Sequence, residues 1–348
     1  MPPFVGLDED QHAKRAAAVA HGDFNPRHRL AGSYGGVVEV PADLVLAAEP
    51  VCETRGVTDQ FNCRPITDLR NGMVTVTSTA SAYNPIFYAM VGLAGRPFNG
   101  TQSLYAMRAC AEILCALMIA LAAAITSRWA STRAPLVALQ LAAAPVLWYS
   151  ASILAPNGLE MCCALVMWAA LLGIVRRQGD ADRLTVVAGT VAACLLAAVR
   201  GLGPFWLVLI AMAVLVITPH ETLRAVKAAR WARTSALAIA ACVAYAVAWT
   251  LAASATSVTP PVANPGSSIA AAFRGLPLWA LGTFAMFPGR TETAPVAVYT
   301  IGVAVWILFL AIAIGRARTT IRISAAFIVL AAALIPFALT VVTYHRIG

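Results

Sequence analysis

Charge is what this chain has least of. Asp, Glu, Lys and Arg make up 12% of its 348 residues, whereas a soluble domain carries roughly 25%, so an ordinary soluble domain is excluded. No cleavable signal peptide is visible, because residues 1 to 20 mix polar and charged groups with no continuous apolar core. Residues 1 to 103 also lack any apolar run long enough to span a bilayer. Metal-type cysteine spacing is missing too. Cys110, Cys115, Cys162, Cys163, Cys194 and Cys242 lie singly or adjacent inside apolar runs and read as small core hydrophobes.

What is present is apolar: 60% hydrophobic residues and a mean hydropathy of +0.75. The composition describes an all-α, polytopic membrane bundle. Eight candidate spans follow residue 103, at about 104–126, 135–154, 157–175, 184–200, 202–217, 234–253, 295–315 and 322–343, each near the roughly 20 residues a helix needs to cross. The chain therefore divides into an N-terminal loop region, 1–103, and one membrane domain, 104–348. A further outer loop at 254–294 contains a moderately apolar stretch, Ala270 to Met286, that reads as a helix lying at the interface.

The net charge of +9 is not a nucleic-acid signature. Of the 25 Lys and Arg, 12 occupy every second loop: Arg128 and Arg133; Arg176, Arg177 and Arg183; Arg224, Lys227, Arg230 and Arg233; Arg316, Arg318 and Arg322. Positive loops face the cytoplasm, which places residues 1–103 outside the cell membrane. Export of so long a first loop implies a further membrane helix upstream of Met1. The end at Gly348, directly after an apolar run, likewise implies a piece of a longer chain.

Within 1–103, Leu7-Asp8-Glu9-Asp10-Gln11-His12 brings three carboxylates and an imidazole together ahead of an alanine-rich stretch ending at Gly22. Two readings stand side by side. At the mouth of a bundle, such a carboxylate takes a proton from a sugar hydroxyl; equally, Asp8 and Gln11 form a capping box that opens a short helix. Two carboxylates and one His make at best a partial site for a divalent cation. Met73 to Ser78 alternates as a strand does and suggests a hairpin. Cys52 and Cys63, flanked by charged residues, would pair outside the cytoplasm, and so short a closed loop would contribute on the order of 3 kcal/mol; two unpaired thiols are the alternative.

Ionisable groups inside spans are costly and usually functional. Arg108 and Glu112 lie near the outer end of the first span, Glu160 near that of the third, and Arg200 closes the fourth, so all gather under the Asp8–His12 stretch. Mutual neutralisation of Arg108 and Glu112, four residues apart, is the plainer reading. Tyr83-Asn84-Pro85-Ile86-Phe87-Tyr88 serves either as a headgroup aromatic belt or as the wall of a substrate entrance.

Pro2 to Glu9 with His12 and Gly22, Tyr83-Asn84-Pro85 with Tyr88, Arg108, Arg200-Gly201-Leu202-Gly203, Leu276-Pro277 through Gly282 and Phe284, and Pro295 to Tyr299 together resemble the bacterial membrane-protein family called domain of unknown function 2142, over nearly the whole chain. That family is in turn similar to the GT-C glycosyltransferases. The resemblance implies transfer of a sugar from a polyprenyl-phosphate donor to a glycan or lipid acceptor in the cell envelope. It maps the family's acidic pair to Asp8 and Glu9. The chemistry of the residues then makes Asp8 the catalytic base with Glu9 as its understudy, gives Arg108 and Arg200 the lipid phosphate, and leaves His12, Tyr83, Asn84, Tyr88, Glu112 and Glu160 to line the substrate site. The chain departs from the family in lacking the first membrane helix and in having Phe287-Pro288-Gly289-Arg290-Thr291-Glu292 where a Gly-Trp-rich acidic segment is usual. A non-catalytic transporter or scaffold subunit for lipid-linked polysaccharide export is the competing reading. A transporter predicts paired halves and a charge deep in the membrane, and neither an internal repeat nor such a charge is found.

Overall fold

The computed structural model describes residues 3–4, 6, 8–24, 35–48, 69–70, 72–255, 269–270, 272–275, 295–316 and 318–347. Cys52, Cys63 and the whole of 276–294, with most of the stretch expected to form an interfacial helix, lie outside these residues.

The N-terminal region holds more regular structure than its composition announces. Helix α1 (Glu9–Ala20) is followed by strand β1 (Gly36–Pro41), the short helix α2 (Ala42–Leu46), and strands β2 (Leu69–Arg70) and β3 (Met73–Ser78). The strands form one antiparallel sheet in the order β1-β3-β2, with Val38 opposite Val76 and Val40 opposite Val74. Alternation along Met73–Ser78 thus does mark a strand, and β2 and β3 are its hairpin. Helix α3 (Pro85–Gly95) starts where Asn84 accepts the Ile86 amide through Oδ1 at 3.0 Å and Pro85 supplies the preset φ of a first turn.

All eight apolar intervals coincide with helices: α4 (Gly100–Trp129), the pair α5 (Ala134–Ala142) and α6 (Pro145–Ala151), α7 (Pro156–Arg176), α8 (Arg183–Val199), α9 (Gly203–Ile217), α11 (Arg230–Ala255), α12 (Val296–Arg316) and α13 (Thr319–Ile347), with a short helix α10 (His220–Ala228) before α11. Among the described residues three of them, α4, α7 and α11, are long and apolar enough to cross a membrane. The pair α5 and α6, bent by 62° just before Pro145, makes a fourth if counted as one span. The segment carrying Arg224 and Lys227, expected as loop, is helical in α10; a polar helix has no apolar run to mark it in the sequence.

One buried cluster runs from α1, β1 and α3 through α4, α7 and α8 to Ile210 of α9. Alanines at 13, 16, 17, 18 and 20 let α1 lie close against α3. Gly92 permits the closest approach, since a Cβ there would collide with the Ala16 carbonyl oxygen. The result is unusual for so polar a sequence: in α1, Glu9, Gln11, His12, Lys14 and Arg15 are all buried. The free cysteines Cys115, Cys162 and Cys163 are buried among the same apolar residues.

Candidate functional site

A helix that buries five polar side chains must satisfy each of them, and these demands organise the site. Glu9 is fully buried. Its carboxylate takes Arg108 Nε at 2.6 Å and Arg108 Nη2 at 2.5 Å, the Leu154 amide at 3.0 Å and the Gly6 amide at 3.3 Å. A fork-to-fork ion pair thus ties the start of α1 to α4 and to the turn between α6 and α7. The partner of Arg108 is therefore Glu9 rather than Glu112, which is exposed one turn along α4.

Asp8, directly before Glu9, is exposed and holds φ at 55°, the left-handed region that a non-glycine residue seldom adopts. It stands at the helix start, but its side chain makes no cap hydrogen bond. The capping-box expectation is corrected accordingly: Asp8 serves the helix through its carbonyl, which accepts the Gln11 and His12 amides. Gln11 turns away to accept the Thr79 amide at 2.9 Å and to donate to Asp10 at 2.8 Å. The left-handed backbone at Asp8 aims its side chain off the axis that a cap would need.

His12 and Tyr88 meet through Nδ1 and Oη at 2.8 Å, their rings stacked with centroids 5.9 Å apart. Tyr83 closes on both rings, at 5.9 Å from His12 and 6.5 Å from Tyr88. Burial, reinforced by the nearby positive charge of Arg200, pushes the His12 imidazole down to about 3, so it is neutral at ordinary pH. Arg200, at the end of α8, pairs with Glu160 of α7 at 3.0 Å, with the Tyr83 hydroxyl nearby. Its side chain is 32% exposed, whereas that of Arg108 is 5% exposed, so Arg200 is the arginine a ligand can reach. The second Glu160 oxygen, Oε1, is buried without a hydrogen-bond partner. Asn84, expected beside the substrate, is buried and spends its Oδ1 on the α3 cap.

Two groups escaped the sequence reading. Arg15, entirely buried, donates to the carbonyls of Asp23, Phe24 and Tyr83 and so ties both flanks of the site to α1. Trp249 of α11 donates to the Ala82 carbonyl at 3.0 Å. An arginine in a run of alanines gives no sign that it will be buried, and a tryptophan within a span reads as a lipid-facing ring. A divalent cation fits poorly at the acidic stretch, because Glu9 is saturated and His12 Nδ1 is occupied. Among the described residues, no three His, Cys, Asp or Glu side chains come together as ligands.

Over residues 1–346 the chain matches the model of a family described as predicted membrane proteins, domain of unknown function 2142 (DUF2142), and it belongs to that family. No curated protein and no solved structure matches it.

Proposed function

We infer that this membrane protein is an inverting glycosyltransferase of GT-C type. It would move a sugar from a polyprenyl-phosphate donor to a glycan or lipid acceptor outside the cell membrane, across a bundle of eight spans. The observation that carries the reading is Asp8: an exposed carboxylate in a strained left-handed conformation, held next to a residue that four hydrogen bonds lock in place. Strain of this kind costs about 1–3 kcal/mol and persists where the surroundings over-determine it, as functional sites do.

In the reaction, the acceptor hydroxyl attacks the anomeric carbon while Asp8 takes its proton. The bond from that carbon to the lipid phosphate breaks, and the phosphate leaves with the electron pair. Asp8 must come within about 2.6–3.2 Å of the hydroxyl. Charge grows on the departing phosphate, so a fixed cation beside it favours the transition state over the bound donor. Arg200 supplies that cation, with Tyr83 beside it; Glu160 orients the guanidinium. Glu9 and Arg108 hold Asp8 rather than touch substrate, since both are buried and paired with each other. His12, neutral and bonded to Tyr88, shapes the wall without adding charge.

The test is transfer by the full chain reconstituted in vesicles, offered a panel of radiolabelled polyprenyl-phosphate hexoses and pentoses. Loss of a general base lowers kcat by about 10²–10⁴, so Asp8→Asn is expected to lose at least 100-fold with donor binding retained. Transfer at the unsubstituted rate by Asp8→Asn would overturn the assignment.

A further inference from the structure

At the opposite end of α1 from Asp8, two depressions of about 200 Å³ and 340 Å³ adjoin through Ala20, His21 and Arg96. A helix of 12 residues separates them from the start of α1, about 18 Å at 1.5 Å per residue. This place is distinct from the cluster around Arg200. Its chemistry is mixed in a definite way.

The Arg96 side chain is exposed and, among the described residues, makes no hydrogen bond or ion pair. His21 is tied by Nδ1 to the Ala17 carbonyl at 2.8 Å, which turns Nε2 away from the helix. Asp43 has one carboxylate oxygen on the Gly100 amide and the other oxygen to offer. Asn99 does not use its side chain to cap α4 and so keeps both amide functions for a ligand. Phe24 and Phe98, one at each depression, are each 49% exposed. Flat apolar rings beside hydroxyl-seeking amide and carboxylate groups suit a sugar ring, whose faces are C–H and whose edges are hydroxyl. One unpaired guanidinium selects a sugar that carries an anion.

The position also argues against a lipid headgroup. Helix α4 has 30 residues, about 45 Å of length, of which a bilayer core uses about 30 Å. With its basic end at Arg128 on one boundary, some 15 Å of α4 stands clear of hydrocarbon at the other. Arg96 and Asn99 lie just beyond that free end. The same count puts Arg108 at the boundary itself, level with the proposed donor site.

We propose that the double depression between α1, α3 and the start of α4 binds an acidic sugar unit of the acceptor glycan, with Arg96 on its anionic group, Asp43 and Asn99 on its hydroxyls, and Phe24 and Phe98 against its faces. The inference rests on the glycosyltransferase reading for the word acceptor, but not for the binding itself.

Calorimetric titration of the full chain in phosphatidylcholine nanodiscs, with tri-galacturonate as the acidic probe and maltotriose as the neutral one, tests it. Tri-galacturonate is expected to bind at least tenfold more tightly. Arg96→Gln is expected to lose that advantage while maltotriose binding stays the same, and Phe98→Ala to weaken both. Arg96 has no partner to lose, so its variant should melt with the unsubstituted protein. The proposal is overturned if Arg96→Gln binds tri-galacturonate as before, if neither sugar binds, or if phosphatidylglycerol nanodiscs or a poly-glutamate competitor displace the acidic sugar equally well. Asp8→Asn separates the two readings. Its unimpaired transfer with tri-galacturonate still bound would remove the catalytic assignment and leave this site standing.

Discussion

Arg108→Met is the most informative perturbation of the fold, because Glu9 would be left fully buried with two amide hydrogen bonds and no cation. Breaking a buried ion pair from one side costs about 3–5 kcal/mol, since the surviving charge keeps its desolvation penalty. At about 2–4 °C per kcal/mol for a chain of a few hundred residues, the melting temperature should fall by roughly 10 °C. A second substitution decides whether charge is the cause. Glu9→Gln combined with Arg108→Met removes the stranded charge while the amide oxygen still accepts from Leu154, so the double variant should melt well above Arg108→Met alone. The measurement is tryptophan-monitored unfolding in one detergent at one scan rate, because membrane proteins seldom unfold reversibly. If Arg108→Met melts within about 2 °C of the unsubstituted chain, or the double variant melts no higher than the single, the ion pair does not hold α1 in place.

Three further outcomes follow from the same contacts. The His12 imidazole titrates at about 3 when folded and near 6.5 when unfolded; between these values the unfolded chain binds the extra proton, so stability is full above about pH 6.5 and falls as pH drops toward 3. Melting curves of His12→Gln should show a shallower decline over that window. Gly92→Ala forces a Cβ against the Ala16 carbonyl; overpacking of this kind costs about 1–3 kcal/mol, and limited proteolysis should release the N-terminal region faster. Arg200→Met strands the buried Glu160 without its cation and should lower the melting temperature, whereas Arg200→Lys, able to reach one oxygen, should recover part of the loss in the same assay.

The membrane helices were legible because their signal is bulk hydropathy, which tertiary context seldom reverses. The bend within residues 134–151 was legible in principle as well, since Pro145 discourages helix in the residue before it. The arrangement of charge was not. Adjacent carboxylates at 8 and 9 carry the same chemistry in the sequence, yet one backbone angle, φ 55° at Asp8, sends the first outward while its neighbour is buried against Arg108. The burial of Glu9 depends on partners 99 and 145 residues away, which no local pattern encodes. Arg108 and Glu112 likewise satisfied every rule for a helical ion pair, but an exposed pair gains a few tenths of a kcal/mol and a buried bidentate pair with Glu9 gains more. The polar residues of α1 were the hardest to place, because Lys14 and Arg15 belong on a surface by every composition rule. What buries them is the alanine face on the same helix: lacking side-chain bulk, it brings α1 within backbone reach of Gly92, and the surrounding carbonyls of Asp23, Phe24 and Tyr83 then take the place of water for Arg15. A helix that reads as a solvated cap thus becomes the central pillar of the N-terminal region, with its acidic end at the proposed donor site and its His21 end at the proposed acceptor site. The two proposals share that pillar, so displacing α1 by Gly92→Ala should impair both sugar binding at Arg96 and the kcat of transfer at Asp8, whereas Arg96→Gln should raise the KM for an acidic acceptor and leave kcat unchanged.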